Sequence, residues 1–348
     1  MIAAAPFAAE LAALAAGAAE RDRDRSGAFP EPAVTALERA GLLAAPAGPE
    51  PLPYGDELEL LCALGRADAG VARIVDGHFN AVERLRVQAP DALRDRELPV
   101  IARGELRAGV WGADPLPGEG PPARRRGDVL VGSKTFCSGA GGLQRALVLV
   151  GDDDGAGPVA AWVDLTVPGT VAIDRSWYTG AGMVSSASHR VDFDGAPVLA
   201  LLGPLTAEPW FARDAVRTAA TWAGAAHAAG DDALRHLARR PQTSELEALA
   251  AGRIQTWRQG LRLWLTWAGE QLGAAPAQPA AVAASLRAAV ADAARAILDE
   301  AERAVGSRPL ATGSVLDRAG RDLRMFLLQH RLEPILARTG RAAIEGRR

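Results

Sequence analysis

The sequence predicts an α+β protein in which helices come first, a compact β-rich segment follows, and helices return to the end. Three observations predict it. Apolar residues recur at helical spacing over the first hundred residues. The pattern then changes to short runs separated by Gly, Pro and Asp, and from about Pro209 the helical period returns and holds. The implied blocks are 1–105, an N-terminal helical domain, 106–205, a middle β domain, and 206–348, a C-terminal helical bundle.

In the first block, Leu11, Leu14 and Ala15 form one apolar stripe, and Pro32 opens a helix over Ala33–Ala40 that Gly41 stops. Asp56 can cap a helix through Leu64, and another helix spans Val71–Gln88, after which Pro90 and Pro99 punctuate the chain. Strands are expected at Leu106–Trp111, Asp128–Val131, Ala146–Val150, Val159–Leu165, Val171–Asp174 and Ser188–Phe193. Asp152–Gly155 suits a hairpin tip, because acidic residues beside glycine favour tight turns. The last block offers helices over Phe211–Ala238, Ser244–Leu272, Ala280–Val305, Leu316–Gln329 and Leu332–Ala343, the second opened by a Ser244/Glu247 capping box.

Composition removes several function classes. The 348 residues carry a net charge of −3, without the concentrated basic face that nucleic acid requires. The run Arg124–Arg126, between Pro122 and Gly127, reads as a solvated turn. Lys134 is the only lysine. Two cysteines, Cys62 and Cys137, are too few for a disulfide framework or a zinc site, and no metal site is expected. No stretch reaches the roughly 20 apolar residues of a membrane span. The alanine-rich start carries Glu10 and lacks a basic n-region, so no signal peptide is expected and the location is expected to be cytoplasmic.

Generic catalytic signatures fail. Gly155-Ala156-Gly157-Pro158-Val159-Ala160 has the letters of a dinucleotide fingerprint, but a strand-like run follows it in place of a helix. The five histidines, His78, His189, His227, His236 and His330, are scattered. Trp257, Trp264 and Trp267 share one helix face, as a core or subunit-interface stripe or as the apolar wall of a flat-ligand pocket.

The middle block is more specific. Gly132-Ser133-Lys134-Thr135-Phe136-Cys137-Ser138-Gly139-Ala140 runs from a strand into a glycine-rich turn. Upstream lies Trp111-Gly112-Ala113-Asp114-Pro115; downstream, Met183–Ser188 leads into Val191-Asp192-Phe193-Asp194-Gly195-Ala196-Pro197-Val198. In this order and spacing the segments resemble the acyl-CoA dehydrogenase superfamily, over nearly the whole chain. The resemblance implies that family's fold, with a middle antiparallel β-barrel domain and a C-terminal four-helix bundle. It implies FAD as cofactor, with Phe136 flanking the flavin ring and Ser138 bonding its N5 edge. Regular β alternation puts 136 and 138 on one face. Trp111 and Ala113 would sit in the loop that meets the pyrimidine end. Arg217, with Arg213 as the other candidate, would contact the diphosphate. Acyl-CoA or a similar small substrate, an electron acceptor or flavin reductase, and a homodimer or homotetramer complete what the resemblance implies.

Two departures matter. Where many dehydrogenases carry Tyr-Glu-Gly-Thr, this chain has Gln329-His330-Arg331-Leu332, so His330 takes the place of the glutamate base. A histidine there is similar to the sister group of flavin monooxygenases resembling dibenzothiophene and 4-hydroxyphenylacetate monooxygenases, which use reduced flavin and O2. The segment after Pro115 is also shortened, to Leu116–Pro122. The sequence therefore leads with an FAD-dependent acyl-CoA dehydrogenase-like oxidoreductase. Behind it stand a two-component monooxygenase and a catalytically degenerate scaffold.

Overall fold

Helices form where apolar spacing places them: α1 (Ala8–Arg23), α2 (Glu31–Arg39), α3 (Tyr54–Ala67) and α4 (Ala69–Gln88). The computed structural model describes residues 3–151, 158–274, 276–329 and 331–346. A helix that the proline spacing concealed, α5 (Asp91–Ala102), starts directly after Pro90 and runs through Pro99. Leu93, Glu97 and Ile101, four residues apart, are its buried side chains, and their packing offsets the bond that Pro99 cannot make.

Among the described residues, seven strands follow: β1 (Ala108–Trp111), β2 (Arg124–Arg126), β3 (Val129–Cys137), β4 (Arg145–Val150), β5 (Val159–Asp164), β6 (Val171–Asp174) and β7 (His189–Pro204). They form one sheet in the order β1-β4-β5-β7-β3-β2, with β6 on β7. The sheet is open, which corrects the expected antiparallel barrel: β1 and β2 end the order unpaired to each other, and β1 lies parallel to β4. One long strand makes the join. The first half of β7 pairs with β3 and β6, and the second half with β5. Arg124–Arg126, expected as a turn, is a fully exposed edge strand whose charges keep that edge from further pairing. β4 and β5 pair antiparallel with Val150 opposite Val159. The expected Asp152–Gly155 tip and the Gly155–Gly157 letters lie between them, outside the described residues.

The chain continues in α6 (Trp210–Ala238), α7 (Glu245–Gly273), α8 (Pro279–Val305), α9 (Arg308–Ala311), α10 (Val315–Phe326) and α11 (Glu333–Ile344). The capping box that opens α7 is present. The Ser244 hydroxyl accepts from the Glu247 amide, and the Glu247 carboxylate accepts from the Ser244 amide at 2.7 Å.

Two compact units divide the chain differently from the three sequential blocks. One gathers Pro53–Ala69 with the chain from Ala212 onward, and the other gathers Ala5–Leu52 with Gly70–Phe211. In the first, α3 docks on the C-terminal helices because two glycines let backbones meet. A Cβ on Gly65 would stand 2.3 Å from the Thr221 carbonyl oxygen, and one on Gly224 would stand 2.1 Å from that of Cys62. In the second, α4 and α5 cover the sheet through Val82, Leu85, Leu93, Ile101, Leu147 and Trp162. His78 fixes α4 to β1. The Ala108 amide donates to its Nδ1, so Nε2–H donates to the Leu43 carbonyl. Among the described residues no helix is long and apolar enough to cross a membrane, and no cluster of His, Cys, Asp or Glu could hold a metal.

Candidate functional site

The end of β3 departs from regular β geometry. Its pairing with β7 shifts register between Lys134 and Cys137, and Phe136 adopts φ +51°, a left-handed conformation rare for an aromatic residue. The bulge holds the Phe136 ring out, 52% exposed, while Cys137 is buried behind it. A bulge at Phe136 thus stands where regular alternation between 136 and 138 was expected. The Phe136 ring meets the Trp177 ring in a T-shaped contact, centroids 4.8 Å apart.

Neighbouring residues hold this bulge in place. Trp111 is 1% exposed, so its ring is core; its indole N–H donates to the Ser138 carbonyl at 2.9 Å. It positions the bulge and does not present its ring to the surface. Ala113 is exposed, bridged to Thr135, whose amide donates to the Ala113 carbonyl. The sole lysine, Lys134, is buried and donates to the Asp114 carboxylate at 2.7 Å and the Gly112 carbonyl at 3.2 Å. Asp114, where the resemblance has glutamate, thus fastens the Trp111–Pro115 loop to β3. The shortened loop folds back through Glu119, which accepts from the Leu116 amide and from the Trp177 indole.

Sequence reasoning quoted Met183–Ser188 as a motif but assigned its serines no role. In the structure two of them join Ser138 in one hydrogen-bonded row. A short 3-10 turn, Val184–Ser186, is flanked by Met183 at φ +56° and Ala187 at φ +45°. Ser186 donates to the Met183 carbonyl at 2.6 Å, its Oγ lies 2.7 Å from Ser188 Oγ, and Ser188 Oγ lies 2.8 Å from Ser138 Oγ. The turn is clamped from two sides. Gly139 and Ala140 amides donate to the Ser186 and Ala187 carbonyls, and a Cβ on Gly70 would stand 2.2 Å from Ser185 Oγ. The sequence signal was available in a run of closely spaced serines just before a strand that pairs with the flavin-like segment.

The histidine next to this network is structural. His189 Nε2 donates to the Gly27 carbonyl at 2.7 Å, and burial, then the Arg175 charge, lower its pKa. The thiol of Cys137 is pushed well up by burial and stays protonated.

Two further expected residues, Arg217 and Arg213, are in the other compact unit. Arg217 belongs to the helical unit and is fully buried; its guanidinium bonds Glu57 through Nε at 2.9 Å and an NH2 group at 2.7 Å. Arg213 stacks on the Tyr54 ring, its guanidinium carbon 3.9 Å from the ring centroid. His330 lies outside the described residues. Trp264 and Trp267 are not core: they are 37% and 36% exposed on α7, edge-to-face at 5.3 Å.

The residues present on the sheet fit a flavin ring. An exposed aromatic face held at positive φ suits a planar π-system. Two residues on is the half-buried Ser138 hydroxyl, and Lys134 and Asp114 are engaged with each other in holding the loop.

No protein-family model and no curated protein matches the chain. Solved structures do. A nitrososynthase from Micromonospora carbonacea var. africana is 25% identical over 98% of this chain and 96% of that one, with TM-score 0.81. KijD3, solved with FMN and dTDP-3-amino-2,3,6-trideoxy-4-keto-3-methyl-D-glucose, is 22% identical over 100% and 94%, with TM-score 0.84. TdsC of Paenibacillus sp. A11-2, a dibenzothiophene monooxygenase solved with FMN and indole, is 20% identical over 100% and 98%, with TM-score 0.86. The fold of this chain is therefore that of the acyl-CoA dehydrogenase-like proteins. Within them, these neighbours belong to the flavin monooxygenase branch.

Proposed function

We propose that the chain is a flavin-dependent monooxygenase that takes reduced FMN from a separate reductase and uses O2 to oxidise a small molecule. The observation that carries this reading is the exposed Phe136 ring beside the Ser138 hydroxyl, on a clamped bulge. It occurs in a fold shared with FMN-bound KijD3 and TdsC. Phe136 packs on one face of the flavin, Ser138 meets its polar edge, and the Trp111 and Lys134 bonds keep both in register. Bound reduced flavin supplies the two electrons that activate O2.

Two of the leading expectations give way here. FAD is replaced by FMN, the flavin in the neighbouring structures. Acyl-CoA dehydrogenation, the main expectation, yields to oxygen chemistry, which the neighbours support better and which agrees with His330 in place of the glutamate base. His330 is proposed to handle the proton there, because imidazole titrates near neutrality.

The test is rapid mixing of the protein, loaded with reduced FMN, with oxygenated buffer. Reoxidation of the bound flavin slower than that of free reduced FMN supports the proposal. Anaerobic bleaching of bound oxidised flavin by a CoA thioester would instead assign a dehydrogenase.

A homo-oligomer belongs to the same reading. Leu263, Trp264 and Trp267 lie exposed together on α7, an apolar face of the kind that obligate interfaces bury. Sedimentation as a dimer or tetramer is expected; a monomer at micromolar concentration contradicts it.

A further inference from the structure

The three hydroxyls of Ser138, Ser186 and Ser188 form a chain whose direction is set at one end. Each hydroxyl carries a single proton. The Met183 carbonyl can only accept, so the Ser186 proton is committed to it. The 2.7 Å contact of Ser186 with Ser188 then needs a proton from Ser188. With that proton spent, the 2.8 Å contact of Ser188 with Ser138 needs one from Ser138. No other arrangement makes all three bonds, and reversing one would leave two oxygens in contact without a proton between them. Ser186 is completely buried and Ser188 nearly so, which raises the cost of breaking the order.

Ser138 is the half-buried end of this chain, two residues from the exposed Phe136. Its proton points inward, so it offers a ligand only lone pairs. A flavin lying on Phe136 carries at N5 a bare acceptor when oxidised and an N–H donor when reduced. We infer that Ser186 and Ser188 are positioning residues that hold the Ser138 hydroxyl as an acceptor, so that the site selects reduced over oxidised flavin. The inference rests on the flavin reading above. It goes beyond it by making the preference for one redox state a property of two serines that need not touch the flavin. It also explains why the Val184–Ser186 turn is held between two left-handed residues and packed against Gly70: a loose turn would let the hydroxyls reorient.

The test measures dissociation constants of oxidised and anaerobically reduced FMN, and the midpoint potential of bound FMN, for wild type and serine variants. Wild type is expected to bind reduced FMN more tightly. In Ser188→Ala the Ser138 proton is released and can reach oxidised N5, so oxidised FMN binds about tenfold tighter while reduced FMN is unchanged. Ser186→Ala gives the same pattern, because Ser188 then turns its proton toward Ser138. Ser188→Thr keeps the hydroxyl and should keep the wild-type ratio, which separates proton direction from damage to the turn. Ser138→Ala shows the opposite signature, with weaker reduced binding and unchanged oxidised binding. Equal ratios in wild type and Ser188→Ala, or equal affinity of wild type for both redox states, overturn the inference while leaving flavin binding intact. Failure of wild type to bind either form overturns the flavin reading and this inference with it.

Discussion

Phe136 combines an exposed ring with a strained, left-handed backbone at the same position. Left-handed geometry costs a non-glycine residue about 1–2 kcal/mol. Phe136→Gly removes that strain, loses the Trp177 edge contact and adds chain entropy, each of about 1 kcal/mol. These nearly cancel, so thermal or denaturant unfolding should place the variant within about 1 kcal/mol of wild type. Its affinity for reduced FMN should nonetheless fall about tenfold, since stacking with the ring is gone. A large stability loss, or unchanged affinity, would contradict the role given to this ring. The residue types at 136 and 138 were legible in the sequence; the bulge was not, because a register shift depends on partner strand β7 and leaves no local mark. Trp111 was expected in a loop meeting the flavin, and its burial with the indole bonded to the Ser138 carbonyl was not legible.

Helix α3 carries the main lesson at the scale of elements. Its spacing revealed a helix, yet not that it belongs with the C-terminal helices, because that depends on close approach at Gly65 and Gly224. Glycine inside a helix reads as a weak position until its neighbour is known. Gly224→Ala puts a methyl against the Cys62 carbonyl and should cost about 1–3 kcal/mol or more in denaturant unfolding. A neutral effect would mean the helices do not cross there. The same packing brings Arg217, expected at a cofactor, into hydrogen bonds with Glu57 on α3. Glu57→Ala removes one partner of a buried ion pair and should cost about 3–5 kcal/mol, whereas Glu57→Gln with Arg217→Met should recover part of it. Equal losses in the single and double variants would show that the pair is not coupled. The sheet's openness was equally hidden, since strand order and the parallel β1–β4 pair come from long-range pairing that period-2 patterns do not encode.

For the whole molecule, two buried histidines set an acid limit. Burial lowers His78 to about 4, and burial with the charges of Arg258, Arg262 and Arg66 lowers His227 to about 3. Both are neutral when folded, while the unfolded chain protonates them near pH 6.5. The unfolded state then binds more protons, so stability is lost as pH falls from about 6.5 toward 4 and 3, and is full above that range. Denaturant midpoints measured across that window should fall with acidity, and less steeply in His78→Gln. A midpoint that rises on acidification would contradict neutral burial of these rings. Flavin binding on the sheet can be read by anaerobic titration of the protein with reduced FMN, followed through tryptophan fluorescence. Saturable quenching that is diminished in Trp177→Phe and shifted to higher FMN concentration in Phe136→Gly is the predicted result. No quenching in wild type, or quenching indifferent to both changes, would contradict it.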